Sequence, residues 1–439
     1  MKWCRRSLLR CMVFALAAVI LLVTHAGLVH AANQSVTRAG DILELVLPGI
    51  ALGSTFFAGN SDGTWWDREG TKEAALSIGT TAGIVAIGKE AARKLRPDGS
   101  DRNSFPSGHT AASFSGASFI GMRYGWQWGV PAYAAAAFVG YSRFQADQHY
   151  ADDILAGASI ALLSTWTWVK PMHDRVVLLP IALDRGVGIQ FALLDSDPAK
   201  KDIMETSSAA VTYPKYRFNF NFGPAFVMEN KAASDGGTTF DLRDLEGHDY
   251  PLTTAVVQLD MALNERHELG FSVWPMEAKD SGSFNSPVVY KGVTFPANTP
   301  IKSDWLLYDL RVRYRYDFFP SSPLIFAAGG GAMLQYHIIK LETADLSRKA
   351  DEDDLTVVPF LHLKLGWRMT EKLSLYLNGD GGWIPNNWFV DGGAYMNYRF
   401  GKHWDFTMGY QYFTRDINPG DVQNRVVQHM PYLAVAYSW

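Results

Sequence analysis

Three short clusters between residues 89 and 153 collect the side chains that phosphoryl chemistry needs. Lys89 is followed after six residues by Arg96-Pro97. Pro106-Ser107-Gly108-His109 comes next, and then Ser142-Arg143, five residues, His149, three residues and Asp153. Lys89, Arg96 and Arg143 supply three cations that can converge on one phosphoryl group, and the planar guanidinium fork matches two phosphate oxygens. Ser107 and Gly108 stand where a helix is expected to begin, so unpaired backbone amides and the positive helix end face the same anion. His149 and Asp153 are four apart on a predicted helix and share a face. A carboxylate there can hold the imidazole in one tautomer and stabilise its charge, leaving the other nitrogen to attack phosphorus. Transfer in two steps also requires an acid for the leaving group, and His109 is the other histidine of the set. Taken singly, these are a solvated Lys-Arg face, a helix cap and a helical His-Asp pair; their joint occurrence in order is what points to chemistry.

These residues need a scaffold, and residues 41–170 offer one. Alanine, glycine and serine dominate long apolar stretches there. Segments 41–58, 72–95, 107–124, 129–146 and 150–170 have helical lengths. Pro48 and Gly53 weaken the first, Thr71 is placed to cap the second, and Ser107 to cap the third. The expectation is a compact helical bundle packed through small side chains. None of the five reads as a membrane span; the second is interrupted by Lys72, Glu73, Lys89 and Glu90. Trp65, Trp66, Trp126 and Trp128 are the candidates for contact with a membrane interface.

Residues 1–31 read as a secretory signal. Lys2, Arg5, Arg6 and Arg10 precede the apolar run from Cys11 to Val23, and Val29-His30-Ala31 offers a cleavage site. The run is shorter than the roughly 20 residues that span a bilayer. Cleavage would remove both cysteines and four basic residues, leaving 36 Lys+Arg against 44 Asp+Glu, a balance of −8. A secreted chain without disulfides must rely on its core or on a closed barrel. The formal charge of the whole chain, −4, gives no broad basic surface for nucleic acid.

After a connector at 171–214, with a hairpin possible around Asp184-Arg185-Gly186, the period switches to two. Tyr216, Phe218, Phe220 and Phe222 alternate with Arg217, Asn219 and Asn221. Tyr308, Leu310, Val312, Tyr314 and Tyr316 alternate with Asp309, Arg311, Arg313, Arg315 and Asp317. Leu361, Leu363, Leu365 and Trp367 alternate with His362 and Lys364, and Trp404, Phe406, Met408 and Tyr410 with Asp405, Thr407 and Gly409. Aromatic-rich apolar faces, alternating short and long loops, and the ending Leu433, Val435, Tyr437, Trp439 point to an antiparallel transmembrane β-barrel. The last feature resembles the C-terminal strand that the barrel-insertion machinery of the outer membrane reads. About ten strands are expected over 215–439, or twelve with the connector hairpin. Long loops are expected near 230–252, 277–302, 338–354 and 415–428, the third holding the acidic run Asp351-Glu352-Asp353-Asp354. An even strand number puts both barrel ends, and the helical domain, in the periplasm.

The three clusters match without a gap the signature of the phosphatidic acid phosphatase type 2 superfamily, K-x6-R-P, P-S-G-H and S-R-x5-H-x3-D. The resemblance covers roughly residues 70–170. It implies an all-α fold in which His149 is the nucleophile that forms a phosphohistidine, Asp153 its orienting partner, and His109 the general acid and later the base. Lys89, Arg96, Ser107, the Gly108 amide and Arg143 would bind the phosphate, with no metal and no other cofactor in the phosphatase members. The expected protein is thus a signal peptide (1–31), a helical phosphatase (32–170), a connector (171–214) and an outer-membrane barrel (215–439). Its expected substrates are phosphomonoesters or diphosphates, of membrane lipids first and soluble phosphomonoesters second. Two other readings are a vanadium-dependent haloperoxidase, which shares this active site, and a barrel protein with an inactive helical domain.

Overall fold

The computed structural model describes residues 34–57, 66–171, 177–183, 186–192, 213–245, 251–418 and 422–439, with 177–183 and 186–192 described by backbone alone. The signal-like segment at 1–31 and Trp65 lie outside the described residues. The chain divides into two units, residues 1–211 and 212–439.

Helices α1 (Gln34–Ser54), α2 (Arg68–Ala92), α3 (Gly108–Tyr124), α4 (Trp126–Gln145) and α5 (Ala151–Trp168) build the first unit. α1 begins earlier than its apolar run suggests, and Pro48 sits inside it without ending it. Small residues let the helices touch: a Cβ on Gly116 of α3 would come within 2.5 Å of the Leu47 backbone of α1, and one on Gly157 of α5 within 2.5 Å of the Ser107 carbonyl oxygen. The cap of α2 is Asp67, whose carboxylate accepts from Gly70 N at 2.8 Å. Thr71, expected in that role, instead donates its hydroxyl to the Asp67 carbonyl. The same Asp67 carboxylate and Glu73 pair with buried Arg123 at 2.6 and 3.2 Å, and Arg123 also donates to the Lys170 carbonyl. One ion cluster thereby joins the ends of α2, α3 and α5. Among the described residues no helix is long and apolar enough to cross a membrane. Trp128 is exposed and Trp126 partly so.

The expected connector hairpin is present: β1 (Val177–Leu183) pairs with β2 (Gly186–Ala192), Leu183 opposite Gly186. It forms its own two-stranded sheet and adds nothing to the larger one.

Ten long strands make up the second unit: β3 (Lys215–Ser234), β5 (Leu252–Ala262), β6 (His267–Gly282), β9 (Ile301–Asp317), β10 (Leu324–Thr343), β11 (Lys349–Arg368), β12 (Leu373–Ile384), β13 (Asn387–Phe400), β14 (Trp404–Ile417) and β15 (Val422–Ser438). All pair antiparallel with their neighbours in sequence order, and β15 closes on β3. This is a closed ten-stranded barrel. At the seam, Tyr216 N donates to the Trp439 carbonyl and Trp439 N to that of Tyr216, each at 2.9 Å. Short pieces β4 (Phe240–Asp241), β7 (Val288–Tyr290) and β8 (Val293–Phe295) lie in the connections of the opposite end.

The outward positions are those the alternation marks. Leu361, Leu363, Leu365 and Trp367 of β11, Phe406, Met408 and Tyr410 of β14 and Leu433 of β15 are exposed, an apolar belt that only lipid covers cheaply. Tyr216, Phe218 and Phe220 of β3 differ in being buried. Inward, Arg311 pairs with Asp380 at 3.1 Å and Asp391 at 2.5 Å, Arg313 with Asp260 at 3.2 Å, and Arg315 with Glu268 at 2.6 Å.

Two expectations change, and the interior adds a third feature. The strands reach 20 residues, beyond the roughly 9–11 that cross a bilayer, so much of the expected loops 338–354 and 415–428 is strand. The acidic run lies within β11, Asp351 opposite Lys340 and Asp354 opposite His337. The interior is polar only in part, because towards the far end Trp305, Leu307, Met333, Phe360, Phe389 and Phe413 form a buried apolar core. Strands that continue past the membrane lose the lipid on their outer face and need an inner core instead.

Deleting Trp439 removes the reciprocal pair at the seam. Gel migration of unheated and heated samples should show the folded, heat-modifiable band of the wild type reduced or lost in the truncated protein.

Candidate active site

Every predicted site residue lies in the helical unit, and the fold brings the three clusters together. Lys89 is in the last turn of α2 and Arg96 in the loop behind it. Ser107 caps α3, its hydroxyl accepting from Thr110 N, and its own amide donates to the Asp153 carbonyl. Gly108 opens α3 next to Lys89, whose Cε would lie 3.7 Å from a Cβ there. Arg143 is in the last turn of α4. His149 precedes α5, and Asp153 lies in its first turn, where it accepts from Tyr150 N at 2.9 Å.

His149 is buried. Its Nδ1 donates to the Ser104 carbonyl oxygen at 2.7 Å, which fixes the tautomer and leaves the lone pair on Nε2. Asp153, expected to hold the imidazole itself, has its carboxylate 3.7 Å from Nδ1. It is bound instead by Lys94 Nζ at 3.0 Å and by the Ser104 hydroxyl. Besides its charge on the ring, Asp153 acts on His149 at one remove: it fixes Ser104, and the Ser104 carbonyl accepts from the ring. Asp152, which with Asp147 and His149 could suggest a metal cluster in sequence, accepts from the same Lys94 Nζ at 2.7 Å.

Charge and burial oppose each other throughout the site. Burial disfavours the charged form of Asp153, but Lys94, His149 and the Ser104 hydroxyl outweigh it and hold the carboxyl well below its ordinary range. Lys94 is fully buried, yet Asp152 and Asp153 keep it charged. Burial lowers His149, and the cations Lys89 and Arg96 add to that while Asp153 opposes it. His109 is pushed down to about 4 by burial and then by Arg143, His149 and Arg96, with Asp41 opposing. Burial and Arg96 lower Lys89 in turn. The mutual influence of Lys89, Arg96, His109, Arg143 and His149 marks a single cationic site.

Each cation has an internal partner. Lys89 donates to the Asn103 carbonyl and Arg96 to Asp101 at 2.8 Å. Arg143, 1% exposed, binds Asp41 and Gln148 through Nη1 at 2.7 and 3.0 Å and the Thr37 carbonyl through Nη2 at 2.7 Å. His109 Nε2 lies 3.1 Å from Glu44.

Sequence reasoning missed Lys94, Ser104, Asp41 and Glu44. Lys94 lies between the first cluster's two named positions and resembles one more solvated helix-end lysine. Asp41 and Glu44 are the only acidic residues of α1, and their i,i+3 spacing in an otherwise apolar helix was the available signal.

Replacing Lys94 by Met leaves two buried carboxylates without their cation. A loss of about 3–5 kcal/mol is expected, read as a lower melting temperature together with lost activity.

With this geometry established, residues 63–176 match the PAP2 superfamily. The lipid A 1-phosphatase of Porphyromonas gingivalis is 33% identical over 147 residues, 33% of this chain and 31% of that protein. The chain thus spans about a third of that relative's length. Among solved structures, the chain is similar to the outer membrane protease OmpT of Escherichia coli, with TM-score 0.37, 7% identity, and coverage of 53% of this chain and 100% of that one. It is also similar to the translocator domain of the autotransporter NalP of Neisseria meningitidis, with TM-score 0.29, 12% identity, and coverage of 54% and 92%. The barrel stands on its own closed ring of strand pairings. All three clusters fall inside the matched segment, and residues 63–176 are a PAP2 superfamily domain.

Proposed function

We propose that the chain is a metal-independent phosphatase of the outer membrane, acting on phosphorylated membrane lipids from the periplasmic side. The observation that carries this reading is the fixed tautomer of His149, whose Nδ1 is held on the Ser104 carbonyl while Lys89 and Arg96 act on its ring and Arg143 acts on His109. His149 Nε2 attacks phosphorus, and the ester bond to the leaving oxygen breaks as that oxygen takes a proton from His109. Water then attacks the phosphohistidine, giving its proton to His109 and releasing His149 and phosphate. Lys89, Arg96, Arg143, Ser107 and the Gly108 amide stabilise the phosphoryl oxygens. The relative from Porphyromonas gingivalis is named for lipid A, which makes a phosphorylated glycolipid the first substrate class to test; other lipid phosphomonoesters or diphosphates follow.

In this reading residues 1–31 are a signal peptide, 32–170 the phosphatase, 171–214 a connector and 215–439 the barrel. Insertion by the barrel machinery would leave the short turns in the periplasm. The turns at 263–266, 318–323, 369–372 and 401–403 lie at the barrel end that carries Lys215 and Trp439, which supports a periplasmic enzyme.

His149→Ala should abolish phosphate release from a lipid phosphate without lowering the melting temperature by more than a few degrees; near-normal turnover would refute the assignment. The acid makes a pH prediction. His109 must be protonated to donate, and its pKa in the free enzyme is about 4 against an ordinary 6.5. kcat/KM should therefore fall as pH rises through the acid range, with kcat persisting to higher pH because bound phosphate draws the proton back. The fold favours neutral His109, so its contribution to stability is lost as pH falls from 6.5 towards about 4. Rate profiles and melting curves across pH 3–8 check both signs.

A further inference from the structure

Arg143 commits four of its five N–H groups to protein partners, so a phosphoryl group can take both arms of the fork only by displacing one of them. Its Nε donates to Ser142 Oγ at 3.1 Å, Nη1 to Asp41 and Gln148, and Nη2 to the Thr37 carbonyl. Two of these partners, Thr37 and Asp41, come from α1. The α1 backbone presses on the site between them: a Cβ on Gly40 would lie 2.0 Å from Ser142 Oγ and 2.7 Å from Arg143 Nη2. One turn on, Glu44 reaches His109 Nε2 at 3.1 Å, and Asp41 lies 3.7 Å from the same nitrogen. The carboxylates of α1 thus bridge the phosphate-side guanidinium and the leaving-group histidine, where a phosphoryl group would itself place anionic oxygens.

We propose that Asp41 is a displaceable carboxylate ligand of Arg143, holding the guanidinium in the phosphate-free site and competing with phosphate for it. The inference rests on the phosphatase reading above and adds a positioning residue that controls how tightly phosphate is kept. A buried guanidinium needs a counter-charge, and Asp41 supplies it. Arg143 is almost fully buried, whereas the Asp41 side chain is 48% exposed, so Asp41 can turn out to solvent without stranding its own charge. Phosphate wins the exchange because it can offer two oxygens to the fork where Asp41 offers one to Nη1. A site with three cations and a helix end would otherwise hold product too firmly, and the returning carboxylate opposes that.

The test uses the full mature protein in detergent, with inorganic phosphate as the probe. Its competitive inhibition of aryl phosphate hydrolysis is measured for wild type, Asp41→Asn, Asp41→Ser and Asp41→Glu. Loss of the charge should tighten phosphate inhibition about tenfold, the size of one partly screened charge contact, while Asp41→Glu keeps inhibition weak. Weaker or unchanged inhibition in both neutral variants would overturn the proposal, since a carboxylate that merely orients Arg143 would loosen phosphate when removed. The rise in melting temperature with added phosphate reads the same binding without turnover. An inactive wild type whose neutral variants still gain the larger phosphate shift would sink the phosphatase reading and leave the Asp41 exchange standing.

Discussion

The ammonium of Lys94, buried between Asp152 and Asp153, is the contact on which the site depends. Two carboxylates side by side at the start of α5 would repel each other out of water, and a lysine without them would lose its proton. Together they form a closed charge set that joins the loop after α2 to the first turn of α5. That junction brings Ser104 against Asp153 and the Ser104 carbonyl against His149. The Ser107 amide on the Asp153 carbonyl then carries the same registration to the start of α3. The imidazole of His149 and the start of α3 are thus aligned by one buried ion set.

This division of labour explains what the sequence could disclose. The three clusters were legible because their side chains sit in local motifs: a histidine just before α5 with an aspartate in its first turn, a capped turn before α3, a short span from the end of α2 into its loop. Their supports were not, because the contact partners lie far apart in the chain. Lys94 is 58 residues from Asp152, and Arg143 is 102 residues from Asp41. Spacing brings Asp153 to within 3.7 Å of the His149 ring without revealing that the ring nitrogen donates to the Ser104 carbonyl. The cap of α2 was missed for a similar reason: Asp67 has a second partner in Arg123, from another helix.

The barrel divides likewise. Alternation of apolar and polar residues marked its ten strands, because lipid outside and ion pairs inside impose opposite demands on successive side chains. Strand length was obscured once those demands relaxed. Beyond the lipid the outer face turns polar, as Lys340, Asp351 and Asp353 show, while Met333, Ile339, Leu341 and Val358 turn inward. The period of two persists, but the apolar face has changed sides, and a pattern that inverts resembles a polar loop.

That inversion also bears on what the barrel can do. A conducting barrel keeps a polar, wetted path from end to end. Here Arg311 itself stacks on Phe389 and Phe413 at 5.3 and 5.9 Å, within the same packed interior as Trp305, Leu307 and Phe360. A polar solute would have to part packing that holds strands of up to 20 residues together. An interior filled this way holds its strands together as a protein core does.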